Sequence, residues 1–102
     1  MAKKIINGRM YNTETTQVLG TWDNGWNRGD FNFEEETLHK KKTGEYFIYG
    51  HGGAMSSYGE SCGDGNFSGE RFMPISEEAA KEWAEKYLDA EEYIAIWGEP
   101  EE

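Results

Sequence analysis

Apolar and polar residues along the chain change period three times, and each change marks a different kind of element. Lys4-Ile5-Ile6-Asn7-Gly8-Arg9-Met10-Tyr11 places an Asn-Gly pair between two apolar segments, and that pair readily takes the positive φ angles of a two-residue hairpin turn, predicting a hairpin over 3–11. The next stretch, 12–19, is open between two forms: Asn12 can cap a helical turn, while three Thr in four positions suit a strand. Gly20 to Asp30 is rich in Asn, Asp and Gly and reads as a loop carrying Trp22 and Trp26. Strict alternation from Phe31 predicts a strand over 31–40, turned by Lys41-Lys42-Thr43-Gly44 and returned by Glu45–Gly50. From His51 to Gly69 glycine is too frequent for a helix or a strand interior, which predicts a long loop. Residues 70–75 read as an edge strand, because Pro74 has no N–H to give a central ladder.

After Ser76 the period becomes helical. Ala79, Ala80, Trp83, Ala84, Tyr87 and Leu88 recur at three- and four-residue spacing behind a Ser cap with Glu77 and Glu78 in the first turn. Asp89 with Glu92 three positions on predicts a capping box and a second helix striped by Ala90, Tyr93, Ile94 and Trp97, closed by Gly98 and Pro100. The tail, 99–102, is expected to be mobile. The expectation is therefore α+β: an antiparallel sheet of three to five strands with two C-terminal helices packed on it, as a single domain over 1–102. The sheet edge near Phe72 offers a dimer contact, but Pro74 blunts it and no heptad pattern supports one.

Composition qualifies this picture. Val, Ile and Leu total only 10 of 102 residues, and with a net charge of -10 that shortage normally signals disorder; 15 aromatic residues supply the missing apolar area. The charge is uneven: residues 1–75 hold ten acids and eight bases, whereas 76–102 hold ten acids and two bases. Phosphate binding relies on clustered cations, so direct binding to nucleic acid or to an anionic membrane is not expected; the expected partner is a basic protein. The single cysteine cannot form an internal disulfide, the start Met-Ala-Lys-Lys-Ile-Ile runs into Asn-Gly without a long apolar stretch, and no segment reaches the length of a membrane span, which predicts a cytoplasmic protein.

Candidate chemistry is sparse. His39, His51 and Cys62 lack the close pairing of structural zinc sites, and Cys62 with His51 as a nucleophile pair would sit on a Gly-rich loop with no rigid support. Gly50-His51-Gly52-Gly53 and Gly63-Asp64-Gly65 are not followed by the Lys-Ser/Thr or helix start of a phosphate loop. Asp23, Asp30 and Asp64 lack the spacing of a calcium loop. No catalytic residue, metal or cofactor is expected. The acidic run is more informative: Glu78, Glu82, Glu85, Asp89 and Glu92 step by four, three, four and three, flanked by Glu77 and Glu91, with only Lys81 and Lys86 against them. It is either a solvated face or a carboxylate array that occupies a cationic groove in place of phosphates. Trp22, Trp26 and Tyr58 lie in the polar stretches and are either core residues or interface anchors. The expected binding set is Glu77, Glu78, Glu82, Glu85, Asp89 and Glu92 with Trp22 and Trp26.

Three segments carry a resemblance: Lys4-Ile5-Ile6-Asn7-Gly8 with Tyr11-Asn12-Thr13-Glu14-Thr15, Gly50-His51-Gly52-Gly53 with Tyr58-Gly59-Glu60-Ser61-Cys62-Gly63, and Pro74-Ile75-Ser76-Glu77-Glu78-Ala79-Ala80-Lys81-Glu82-Trp83-Ala84-Glu85. Over nearly its whole length the chain resembles the small acidic proteins of mobile genetic elements in Gram-positive bacteria, which include plasmid-borne anti-CRISPR inhibitors of type II-A effector nucleases. The resemblance implies a stoichiometric inhibitor that binds the effector in the bacterial cytoplasm and prevents guide RNA from loading. The alternatives are an enzyme that degrades or modifies the guide through His39, His51 or Cys62, and an accessory regulatory module of a mobile element with no nuclease target.

Overall fold

The computed structural model of the protein describes residues 2–101. The chain is α+β: a four-stranded antiparallel sheet carries two C-terminal helices on one face. In chain order the elements are β1 (Lys3–Ile6), β2 (Arg9–Asn12), β3 (Gln17–Asp23), β4 (Glu34–Lys40), β5 (Tyr46–Gly52), β6 (Glu60–Cys62), β7 (Gly65–Phe67), β8 (Gly69–Ile75), α1 (Glu77–Tyr87) and α2 (Ala90–Trp97). The sheet order is β3-β4-β5-β8, and β1-β2 and β6-β7 form separate two-stranded ribbons.

Local chemistry explains most of these boundaries. The Asn7-Gly8 turn holds both residues at positive φ, 51° and 78°, as a hairpin of this length demands. In 12–19 neither expected form holds throughout: a turn in which the Asn12 side chain accepts from the Glu14 N–H and Thr16 Oγ1 donates to the Asn12 carbonyl contains Thr13, Thr15 and Thr16, and the strand follows only from Gln17. Trp22 lies on that strand and not in a loop. Gly20, directly opposite Leu38, lets the Leu88 side chain lie against the β3 backbone, and a Cβ there would come within 2.7 Å of both Leu88 methyls. The strand expected from Phe31 begins at Glu34, because Asp30 Oδ1 accepts from both Asn32 nitrogens and holds the turn that precedes it. The Gly-rich stretch is less irregular than its composition implies: β5 runs on to Gly52, and β6 and β7 form an arm closed by Gly63 and Asp64 between the paired Cys62 and Gly65. Glycine is needed at Gly50 for closeness: a Cβ there would lie 2.2 Å from the Tyr58 ring. β8 is an edge strand, with Pro74 opposite Phe47.

Alternation along β4 and β5 sends side chains to two differently covered faces. Leu38, Tyr46 and Ile48 meet Ala80, Trp83 and Ala84 of α1, with Trp22, Tyr87, Leu88, Tyr93 and Trp97 around them. On the other face Phe47 and Phe72 pack beneath Tyr11 of the β1-β2 ribbon. Aromatic rings do the work that branched aliphatics usually do, in contacts such as Trp22 on Tyr87 at 4.5 Å and Tyr11 edge-on to Phe47 at 5.3 Å.

His39 is a core residue of the ribbon-covered face, stacked on Phe47 at 4.8 Å and 2% exposed. Thr16 spends its hydroxyl hydrogen on the Asn12 carbonyl at 3.0 Å, so it accepts from His39 Nδ1–H, and Thr37 gives its hydrogen to the bare Nε2 at 2.8 Å in preference to the Tyr49 carbonyl at 3.4 Å. Burial holds the imidazole neutral and lowers its pKa to about 4. An unfolded histidine takes a proton near pH 6.5, and the folded one refuses it down to about 4. Stability is therefore expected to fall as pH drops through that window, by about 1.4 kcal/mol per unit at most from this group. Urea titrations of wild type and His39→Gln between pH 7 and 4 check this; the variant should be less stable at pH 7 and should lose stability less steeply on acidification.

Candidate functional site

The acidic helical face is built by capping and packing. Ser76 Oγ accepts from the Ala79 N–H and starts α1; its buried stripe, Ala80, Trp83 and Ala84, turns Glu78, Glu82 and Glu85 to solvent. Of the two helical bases, Lys81 lies 5.9 Å from the Trp97 ring centroid and Lys86 5.1 Å from that of Tyr87. Among the described residues no helical carboxylate takes part in an ion pair.

The row does not extend in one line to Glu92. Leu88 ends α1, and Asp89 and Glu92 close a reciprocal capping box at the start of α2, each carboxylate accepting from the other's backbone N–H at 2.8 and 3.3 Å. Both remain exposed, but their oxygens already serve the helix terminus. Glu77 accepts from the Tyr46 hydroxyl at 3.0 Å. The open array is accordingly Glu78, Glu82 and Glu85 on α1, with Glu91 exposed on α2.

The two tryptophans separate. Trp22 is half-buried against Tyr87 and belongs to the helix-side core, whereas Trp26 is 53% exposed. Phe31 and Met55 are also largely exposed, and the Met55 N–H donates to the Phe31 carbonyl at 2.7 Å, so two different loops present them side by side. That pair carries no local sequence signal, because the contact joins loops 24 residues apart. Tyr58 is buried over Gly50.

A second constellation lies at the start of β4, where Glu34, Glu35 and Glu36 each fasten a different part of the chain. Glu34 Oε1 accepts from the Ser57 N–H at 2.9 Å and from its hydroxyl. Glu35, buried, takes Arg28 Nη2 and His51 Nε2, both at 2.9 Å. Glu36 faces the helices and accepts from Trp83 Nε1 at 2.8 Å and from the Tyr58 hydroxyl. Burial, reinforced by the neighbouring carboxylates Glu70 and Glu36, raises the pKa of Tyr49 and Tyr58, so both phenols stay protonated donors.

His39 is buried and neutral, and it pairs with Phe47 while His51 pairs with Glu35, four positions away along the same two strands. The Cys62 side chain lies outside the described residues. Asp23 and Asp30 spend their oxygens on local turns, and among the described residues no group of His, Cys, Asp and Glu is arranged to hold a metal ion. Among the described residues no helix is long and apolar enough to cross a membrane. The chain matches no family model, no curated protein and no solved structure.

Proposed function

We propose that this chain is a protein inhibitor that occupies the cationic, nucleic-acid-binding surface of another protein, and that its target is a type II-A CRISPR effector nuclease kept from loading its guide RNA. The observation that carries this reading is the exposed row Glu78, Glu82 and Glu85, free of ion pairs among the described residues and set on a helix anchored by Trp83 to the sheet. Carboxylates held at fixed spacing on a rigid surface compete with a phosphate backbone for lysine and arginine, and they steer a basic partner from a distance. A guide-binding channel is positively charged along its length, and a protein placed there before the guide denies it the backbone contacts it needs. The target itself comes from the resemblance of the three sequence segments.

The test is order of addition. Protein added to the guide-free effector before guide RNA should reduce cleavage at least about tenfold more than the same amount added after assembly, because bound guide already covers the cationic channel. Equal inhibition in both orders would falsify the loading mechanism. Guide shortened by substoichiometric protein on a denaturing gel would replace it with an enzymatic reading.

A further inference from the structure

The sheet face opposite the helices is covered by the β1-β2 ribbon over Phe47 and Phe72, and beyond that cover lies a recess of about 570 Å³. Its floor is Tyr49, His51 and Glu70, which side-chain alternation places together on this face, and its wall is Glu60 of the β6-β7 arm. The arm can approach because Gly69 has no side chain: a Cβ there would lie 2.2 Å from the Tyr58 carbonyl and 3.0 Å from Glu60 Cγ.

The same face shows what chemistry such a surface accepts. Arg28 lies 5.5 Å from the Phe33 ring centroid and pairs with Glu35 at 2.9 Å, so an aromatic ring beside a carboxylate already holds a guanidinium there. Among the described residues, five other rings also have a lysine or arginine within 6 Å of their centroids. Tyr49 repeats the arrangement: it is an aromatic side chain on the recess floor whose hydroxyl donates to Glu70, with Glu60 across from it. Among the described residues, neither Glu60 nor Glu70 has an ion-pair partner and no cation lies over the Tyr49 ring. His51 gives Nε2 to Glu35 and supplies a flat side chain to the same floor.

We infer that this recess receives an arginine side chain presented by a partner protein. A guanidinium is flat enough to lie along Tyr49 and His51 while its forked N–H groups reach both carboxylates, which a compact ammonium does less well. A protein source fits better than a free amine because Phe67, paired with Glu60 on the arm and 57% exposed, offers apolar contact to residues flanking the arginine. The inference goes beyond the helical carboxylates, which lie across the sheet, so either site can fail without the other.

The full chain, labelled with nitrogen-15, would be titrated at low salt with a pentapeptide whose central arginine is flanked by leucines, with its citrulline counterpart, and with agmatine. The arginine peptide should shift the signals of Tyr49, His51, Glu60 and Glu70 saturably with a dissociation constant of about 1 mM, and Glu60→Gln or Glu70→Gln should weaken it about fivefold to tenfold while Glu78→Gln leaves it unchanged. Agmatine should bind about fivefold more weakly than the peptide, and the uncharged citrulline peptide should not bind measurably. Glu60→Gln keeps the test sound if loss of the Tyr49 bond unfolds Glu70→Gln. Equal binding by the citrulline peptide, shifts confined to the helices, or full affinity in Glu60→Gln would overturn the inference, and agmatine binding as tightly as the peptide would overturn the protein source.

Discussion

Replacing Glu36 by alanine should cost about 3 kcal/mol of folding stability, a large share of the roughly 5–15 kcal/mol that holds a domain together. Glu36 accepts from Trp83 Nε1 and from the Tyr58 hydroxyl, two largely enclosed donors that come from α1 and from the loop over Gly50. Alanine leaves both without an acceptor at once, and each hydrogen bond to a charged group contributes about 1.5–3 kcal/mol, less where water reaches in. Glutamine keeps one acceptor oxygen but turns an amide toward the second donor, so Glu36→Gln should fall between wild type and alanine. Equilibrium urea unfolding of the three proteins measures this, and a loss below about 1 kcal/mol in Glu36→Ala would mean that water replaces the carboxylate on both donors.

The largest functional effect is expected from reversing Glu78, Glu82 and Glu85 to lysine. Each change adds two charges, which takes the net charge from -10 to -4. None of the three side chains is buried and none is ion-paired among the described residues, so the circular dichroism spectrum should match that of wild type. Binding to the guide-free effector should weaken about 100-fold at low salt, mostly through a slower association rate, and the dependence of affinity on salt should flatten. A folded triple variant with wild-type affinity and salt slope would sink the phosphate-mimicry mechanism and leave the exposed Trp26, Phe31 and Met55 as the surface to examine next.

The elements legible in the sequence are those whose causes are local. Asn7-Gly8, the Ser76 cap and the Asp89–Glu92 box each specify their geometry within four residues, and the structure contains all three. Trp22 lies on β3 and not in the expected loop, because what fixes that strand is distant in sequence: Leu38 across the ladder and Leu88 against Gly20. The arm of β6 and β7 is hidden by glycines whose frequency reads as a long loop, although several of them answer close contacts from other segments. At the candidate site, three- and four-residue spacing located the outward carboxylates of α1 correctly. The same spacing carried the row past Leu88 into a cap, since periodicity does not register where one helix stops. Glu34, Glu35 and Glu36 gave no warning of their roles, because adjacent strand positions face opposite ways and each meets partners supplied by the tertiary fold.

The borders of the four-stranded sheet bear on how the protein behaves at high concentration. On β3 the register slips between Val18 and Gly20, and on β8 Pro74 offers no N–H. A bulge twists its strand out of the plane that a neighbouring chain would need, and a proline breaks the row of donors. Strand addition from one molecule to the next, the step that starts a cross-β fibril, is thus obstructed at both borders by backbone geometry alone, and that protection persists when salt screens the charge that otherwise keeps the molecules apart.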